Sequence, residues 1–177
     1  LLKGSTFGTY YQVKFFEPDK NNSIIEKEID SIFDRFNSSL STYISSSTIS
    51  KVNRNEKVIV DDLFIDIFKK SKIIYEKTNG YFDPSIGLLL DYAGFGPTKN
   101  QNIVSEDSLA IILNTVGFDK IDIVDGQVRK LNNKSKLDFN AIAKGYAVDV
   151  ISEFLSSKSI KDYMVDIGGE IGTSGKN

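Results

Sequence analysis

A carboxylate and a lysine, Asp138 and Lys144, flank the point where a predicted strand runs into a predicted helix. The free N–H groups and positive partial charge of a helix N-terminus bind phosphate well, and a lysine beside them adds a point charge. A carboxylate in the same turn can accept a cation or a ligand N–H. These residues can therefore form a site for a phosphorylated ligand. The alternative, in which Asp138 only caps the helix and Lys144 is solvated, is favoured from these residues alone, because Asp is common near helix starts.

Two adjacent glycines, Gly168 and Gly169, stand between the carboxylates of Asp166 and Glu170. Glycines allow a backbone to approach a ligand closely. The same pair also makes a plain hairpin bend. Both interpretations are open, and they do not exclude each other.

Two further segments carry weaker signals. Tyr43 follows a predicted helix in a polar loop, where its ring can stack on a planar ligand or cover the edge of the core, and the second role is favoured. Residues 80–85 are equally well explained as a helix stop followed by a turn.

Two glycine-containing stretches fail the standard nucleotide-binding patterns. The turn formed by Gly94, Phe95 and Gly96 lacks the third glycine of a dinucleotide fingerprint and follows a predicted loop. Residues 141–145 invert the Gly-Lys order of a P-loop and lack its first glycine. Neither motif applies.

The composition excludes several kinds of chemistry. The 177 residues include no Cys and no His, which rules out thiol nucleophiles, disulfides, Cys/His zinc sites and triads with an imidazole base. The formal net charge is -2, so we expect no nucleic-acid partner. No apolar run approaches the roughly 18 to 20 residues that span a bilayer. Any catalysis must use carboxylates, hydroxyls, lysines, backbone groups or a hard cation.

Hydrophobic periodicity and turn residues predict the elements that position these groups. Ser23 and Glu26 have capping-box spacing, Gly80 is placed just after the second helix, and Ser105 caps the third. The Ser- and Thr-rich residues 37–50 and the irregular residues 81–100 are predicted to connect regular elements. The predicted strands span 6–16, 120–124, 127–131, 136–139, 163–167 and 170–173, and the predicted helices span 24–37, 61–79, 105–116 and 140–155.

Hairpins outnumber crossover units in this order, which predicts an α+β fold. No linker or composition shift divides the chain, so we expect one domain over residues 1–177. The last predicted strand stops almost at once, and we expect the domain to be incomplete at its C-terminus. Because residue 1 is not Met, we also expect a processed or trimmed product.

Taken in order, these segments resemble the ApbE-type FAD:protein FMN transferases, formerly described as thiamine biosynthesis lipoproteins. This sequence departs from the family pattern at two positions. Phe7 replaces the usual Met of a Met-Gly-Thr motif, and Asn140 replaces a usual Gly shortly before Ile-Ala-Lys-Gly. The resemblance implies mixed, mostly antiparallel sheets with packed helices, of which this chain covers the N-terminal part. The matching segments are 7–9, 40–43 with Ser47 and Asn53 after it, 80–84, 94–96, 138–149 and 166–170.

The resemblance also implies residue roles. Tyr43 would lie against the flavin or adenine of FAD, and Asp138 and Lys144 would hold polar groups of FAD and act in catalysis. Ala141 would offer its backbone carbonyl to Mg2+, a cation that prefers oxygen ligands. The remaining implied FAD-binding residues are Phe7, Gly94, Phe95, Gly96, Asp166 and Glu170.

The implied reaction transfers FMN from FAD, as substrate, to a Thr or Ser hydroxyl of an acceptor redox protein and releases AMP, with Mg2+ as cofactor. Two alternatives stay open: an FAD pyrophosphatase, in which water replaces the acceptor hydroxyl, and an FAD-binding module without chemistry. The resemblance further implies an extracytoplasmic location, in the periplasm or on the outer face of the bacterial cytoplasmic membrane, with a lipid anchor as an option. No oligomeric state is predicted.

Overall fold

The computed structural model describes residues 1–16, 22–97 and 106–176, with only the backbone of residues 106 and 107. The strands are β1 (Leu2–Thr6), β2 (Thr9–Phe15), β3 (Ile121–Val124), β4 (Gln127–Lys130), β5 (Tyr163–Ile167) and β6 (Glu170–Ser174). The helices are α1 (Asn22–Leu40), α2 (Thr48–Asn53), α3 (Asp62–Lys77), α4 (Gly87–Tyr92), α5 (Glu106–Leu113) and α6 (Asn140–Ser157), with a 3-10 turn at Phe118–Lys120. This mixture confirms the α+β fold class.

By its internal contacts the chain divides into two compact units. The first contains residues 1–37 and 142–177, and the second contains residues 38–141. One domain over residues 1–177 stays a prediction. Among the described residues, no helix has both the length and the apolar character needed to cross a membrane.

The first unit contains an antiparallel sheet in the order β1-β2-β5-β6. The predicted continuous strand over 6–16 is wrong, because Phe7 and Gly8 adopt φ values of 52° and 74° and turn the chain between β1 and β2. The prediction followed the aromatic and polar residues from Thr6 to Phe16, a pattern that includes Phe7 of the turn itself. β5 has its predicted bounds, and β6 extends to Ser174.

Two helices of this unit differ from prediction in detail. Ser23 is the second residue of α1 and not its N-cap. In α6 the predicted apolar series of every fourth residue, Ile142 to Phe154, is only partly buried, whereas Ala147, Ile151 and Leu155 are fully buried. Both series advance four residues at a time, so the spacing identifies a helix but does not select between two faces about 100° apart.

The second unit packs α2, α3, α4 and α5 with a separate hairpin of β3 and β4. The hairpin turn at Asp125 and Gly126 has φ values of 51° and 71°, as the predicted type I' turn requires. Edge-to-face packing of Phe64 on Phe139, with ring centroids 5.5 Å apart, lies in its core. Two short helices, α2 and α4, arise where only irregular segments were predicted.

In the second unit, a predicted strand and a predicted helix end are wrong, and a predicted helix start lies outside the described residues. Residues 136–139 form no strand; Lys136 makes one isolated parallel bridge to Ile86. Thr78 caps α3, so the position after the cap is Asn79, with φ 50°, and not Gly80. The predicted Ser105 cap is outside the described residues.

The start of α3 provides a test of local stability. The Asp61 carboxylate accepts the Phe64 N–H at 2.9 Å and the Ser39 hydroxyl at 3.1 Å. We expect Asp61→Ala to lower the free energy of unfolding by about 1 kcal/mol, since it removes the helix cap. Asp62→Ala, which removes only a first-turn charge, is the matched control and should cost about 0.3 to 0.5 kcal/mol. Urea unfolding measures both, and equal losses would contradict the capping role.

Candidate functional site

A polar recess of about 140 Å3 opens in the second unit. Its lining includes Thr42, Asn53, Asp91, Lys136 and Asp138. Typical small-molecule sites measure roughly 300 to 1,000 Å3. The recess therefore fits a fragment of a dinucleotide and not the whole molecule.

The extended backbone of residues 136–138 forms one wall of the recess. The Asn53 side chain accepts the Leu137 N–H at 2.7 Å and donates to the Leu137 carbonyl at 2.8 Å. The Gly87 N–H donates to the Lys136 carbonyl at 3.0 Å, and the Asp138 N–H donates to the Pro84 carbonyl at 2.8 Å. The backbone of this wall is thus fixed by α2, by the first residue of α4 and by the turn before α4.

Asp138 lies on this wall with only 8% of its surface exposed. Its two carboxylate oxygens accept the Asn140 backbone N–H at 2.8 Å and the Asn140 side-chain amide at 3.0 Å. Burial raises the pKa of the Asp138 carboxyl, the two hydrogen bonds from Asn140 oppose that rise, and the charge of Asp91 adds to it. Asp138 therefore accepts hydrogen bonds from the first residue of α6, in agreement with the capping alternative. Its contact with a ligand stays a prediction.

An ion pair between Asp91 and Lys136, 2.6 Å apart, stands beside Asp138. The backbone of Gly96 passes so close to Asp91 that a Cβ at position 96 would collide with its carboxylate. The N–H groups of Phe95 and Gly96 both donate to the Leu90 carbonyl. The Gly-Phe-Gly turn is therefore folded back onto the end of α4.

Tyr43 and the Gly-Phe-Gly turn meet, although they are 51 residues or more apart in the chain. The Tyr43 hydroxyl donates to the Phe95 carbonyl at 3.4 Å, and the two side chains are 62% and 75% exposed. Neither ring covers the core, so the favoured alternative for Tyr43 is wrong. Both rings face solvent, as an aromatic surface for a planar ligand would.

The hydroxyl oxygen of Thr42 is buried and has no hydrogen-bond partner among the described residues. Thr42 lines the recess. A buried polar atom without a partner costs free energy, typically about 1 to 3 kcal/mol. A polar ligand atom in the recess would remove that cost.

In the first unit, Lys144 pairs with Glu170 at 3.4 Å. Their side chains are 35% and 52% exposed, and exposed pairs contribute little to stability. Both groups are therefore free to engage a ligand without a large loss of folding free energy.

The remaining predicted site residues of the first unit have structural partners. Asp166 accepts the Gly169 N–H at 2.9 Å within the β5–β6 turn, which confirms the hairpin bend. Phe7 packs against Phe33 and Phe36 with ring centroids 5.7 and 5.8 Å away. Ligand contacts of Phe7 and Asp166 stay predictions.

The described residues do not by themselves fit a Mg2+ site. Among residues 1–16, 22–97 and 106–176, no group of three or more acidic side chains is placed to hold a metal ion. Ala141 is the second residue of α6, where a backbone carbonyl is directed along the helix to an N–H one turn later. Mg2+ usually needs one or two carboxylates besides phosphate oxygens and water, and Asp138 is already engaged by Asn140.

Sequence reasoning missed part of this arrangement. Asn53 stood in the family pattern without a role, and Asn140 only as a departure from it. Asp91 and Lys136 gave no signal, because an isolated acid and an isolated base reveal nothing until the fold pairs them. Residues 80–85 are the predicted turn, in which Asp83 accepts both the N–H and the hydroxyl of Ser85.

A family model described as the ApbE family matches residues 7–177. The chain belongs to the ApbE family. It is 30% identical to a Vibrio cholerae protein and 32% identical to a Haemophilus influenzae protein, both named FAD:protein FMN transferase, over 99% of this chain and 54% of each relative. The chain thus spans about half the length of these curated relatives.

Solved ApbE structures have the same fold. The flavin transferase ApbE from Vibrio cholerae superposes with a TM-score of 0.92 at 30% identity, over 99% of this chain and 59% of that one. The apo form of the Pseudomonas stutzeri flavinyl transferase ApbE gives 0.93 at 26% identity, over 99% and 60%. The ApbE-like architecture predicted from the motifs is confirmed.

The two-way contact of Asn53 with Leu137 predicts a clear stability difference between neighbouring asparagines. We expect Asn53→Ala to lower the free energy of unfolding by about 1 to 3 kcal/mol, since Leu137 is fully buried and its N–H loses its partner. Asn55 also donates to a distant carbonyl, that of Asn133, but it is exposed and has φ 61°. Asn55→Gly keeps that backbone conformation available and should change stability by no more than about 0.5 kcal/mol. Chemical denaturation of both variants checks the contrast, which a similar loss in each would refute.

Proposed function

We propose that this protein transfers FMN from FAD to a Thr or Ser hydroxyl of an acceptor protein and releases AMP. The observation that carries the proposal is the ApbE family match over residues 7–177. Relatives that cover nearly all of this chain are named FAD:protein FMN transferase. The recess beside Asp138 and the exposed rings of Tyr43 and Phe95 add physical support, since FAD has both polar and planar aromatic parts.

In this reaction the acceptor hydroxyl oxygen forms a bond to the phosphorus of the FMN half of FAD. The bond from that phosphorus to the bridging oxygen of AMP breaks, and AMP leaves with that oxygen. The hydroxyl proton is released to AMP or to solvent, so no oxidant or reductant is needed. Catalysis of such a transfer consists mainly of positioning and of stabilising charge on the phosphates.

The residues of this chain divide that work by their chemistry. Tyr43 and Phe95 offer ring faces to a planar group. The unpartnered Thr42 hydroxyl and the Asp138 carboxylate offer polar contacts in the recess. Lys144 is the cation that we assign to the phosphates, in exchange for its weak pairing with Glu170.

The Thr or Ser target and the release of AMP come from the family resemblance alone, and so do two further parts of the proposal. The first is a requirement for Mg2+, for which the described side chains supply no complete site. The second is an extracytoplasmic acceptor redox protein, with lipid anchoring of the enzyme as an option. A comparison of AMP release with Mg2+ and with EDTA tests the first part.

Two alternative functions stay open, namely FAD pyrophosphatase and FAD binding without chemistry. Mass spectrometry of the protein with FAD, Mg2+ and a candidate acceptor domain separates the functions. AMP together with an acceptor heavier by FMN supports the transferase. AMP with free FMN supports FAD pyrophosphatase, and bound FAD with no AMP supports the binding module.

Lys144 and Asp138 provide a prediction about FAD affinity. We expect Lys144→Ala and Asp138→Ala each to weaken FAD binding about tenfold or more, the effect of losing one charged contact. Lys158→Ala is the matched control, because Lys158 forms a similarly exposed pair with Glu28 in the same unit and should leave the affinity unchanged. Titration of FAD fluorescence measures all three. Wild-type affinity in both site variants would refute the assignment of these residues.

A further inference from the structure

Lys130, the last residue of β4, places its ammonium group in an unusual setting. Its Nζ donates to the Val52 carbonyl and to the Ser135 carbonyl, both at 3.0 Å. Lys130 belongs to none of the ion pairs found among the described residues. The charged group that acts on it is Lys136, which has the same sign and is itself paired with Asp91.

This setting disfavours the charged form of Lys130. Burial lowers the pKa of the ammonium to about 8, and Lys136 contributes to the fall. A partly buried charge without an opposite charge lowers folding stability, and an apolar side chain of similar volume is often as good or better. The burial of this charge therefore offsets the two hydrogen bonds of the ammonium, and stability alone gives little reason for a lysine at position 130.

The two carbonyls that Lys130 bridges lie next to residues of the recess. Val52 is in the last turn of α2 and precedes Asn53, which binds Leu137 in both directions. Ser135 is buried and precedes Lys136, which pairs with Asp91. Lys130 itself is not among the residues that line the recess. Its ammonium ties together the same two segments that Asn53 joins.

We propose that Lys130 is a positioning residue for the FAD site, whose ammonium fixes α2 against residues 135–138 and so sets the width of the recess. This inference rests on the proposed function, because it assigns FAD to that recess. It adds a residue that never touches the ligand and that is retained at the expense of stability, a trade that functional sites commonly show.

Three variants of the full chain test the proposal. Lys130→Met keeps the volume and removes the hydrogen bonds, Lys130→Arg keeps donors and charge, and Lys120→Met is the control. Lys120 also donates to a carbonyl, that of Val116 at 2.9 Å, but it is exposed and outside the recess. The measurements are the FAD dissociation constant by fluorescence titration and the melting temperature without ligand.

We expect Lys130→Met to raise the FAD dissociation constant roughly fivefold to tenfold, the scale of one lost hydrogen bond, while the melting temperature changes little, because relief of the partly buried charge offsets the loss of a partner for the two carbonyls. Lys130→Arg should bind FAD within about twofold of wild type, and Lys120→Met should match wild type. Wild-type affinity in Lys130→Met would overturn the inference. So would a weakened Lys130→Met that melts lower and is not rescued by Arg, since that pattern indicates a merely structural role. Failure of the wild-type protein to bind FAD would instead overturn the proposed function, and this inference with it.

The pH profile supplies a readout that packing alone would not change. Because the pKa of Lys130 lies near 8, raising the pH from 7 to 9 converts the ammonium to an amine, which keeps two N–H groups for the two carbonyls. Wild-type FAD affinity should therefore stay within about twofold of that of Lys130→Arg over this range. Over the same range wild-type stability should rise relative to Lys130→Met, since an unfolded chain with an ordinary lysine pKa of 10.5 binds the proton that the folded chain has lost. Stability profiles of wild type and Lys130→Met that stay parallel would contradict the uncompensated charge on which the proposal rests.

Discussion

The second unit depends on how the extended residues 135–138 satisfy their backbone hydrogen bonds without a strand alongside. A buried backbone amide without a partner costs folding free energy. Among the described residues, this segment makes one isolated β-bridge, between Lys136 and Ile86. The side chain of Asn53 replaces the missing strand at Leu137 by accepting and donating at once. Leu137 is thus held by a side-chain amide at the end of the short helix α2. The position of the recess wall therefore depends on the position of α2.

Three charged side chains, those of Asp91, Lys136 and Asp138, lie close together around this segment. Asp91 balances Lys136, and the same carboxylate also raises the pKa of the buried Asp138. Asn140 opposes that rise with two hydrogen bonds. The protonation state of Asp138 is therefore set by its neighbours as a group, and a change at any of them reaches it.

Sequence reasoning succeeded where the determinant of structure was local. Asp125-Gly126 and Gly168-Gly169 specify their hairpins because their positive φ values are needed at the turn itself. It failed at Phe7-Gly8, since the aromatic and polar pattern that predicted the strand includes Phe7 of the turn itself. It also failed at residues 136–139, because an apolar extended pattern does not reveal whether its partner is a strand or an amide side chain. The motif order was enough to identify the family. The ion pair of Asp91 with Lys136 could not be predicted from the sequence, because it joins two common charged residues that are 45 positions apart.

The close passage of Gly96 beside Asp91 also has a consequence for how this sequence can change over time. A Cβ at position 96 would lie 2.7 Å from the Asp91 Cα as well as against its carboxylate, so no shorter residue at position 91 would make room for it. Position 96 is therefore expected to stay glycine whatever stands at position 91. Asp91 and Lys136, which form an ion pair, are instead expected to change together, a case of epistasis confined to two side chains.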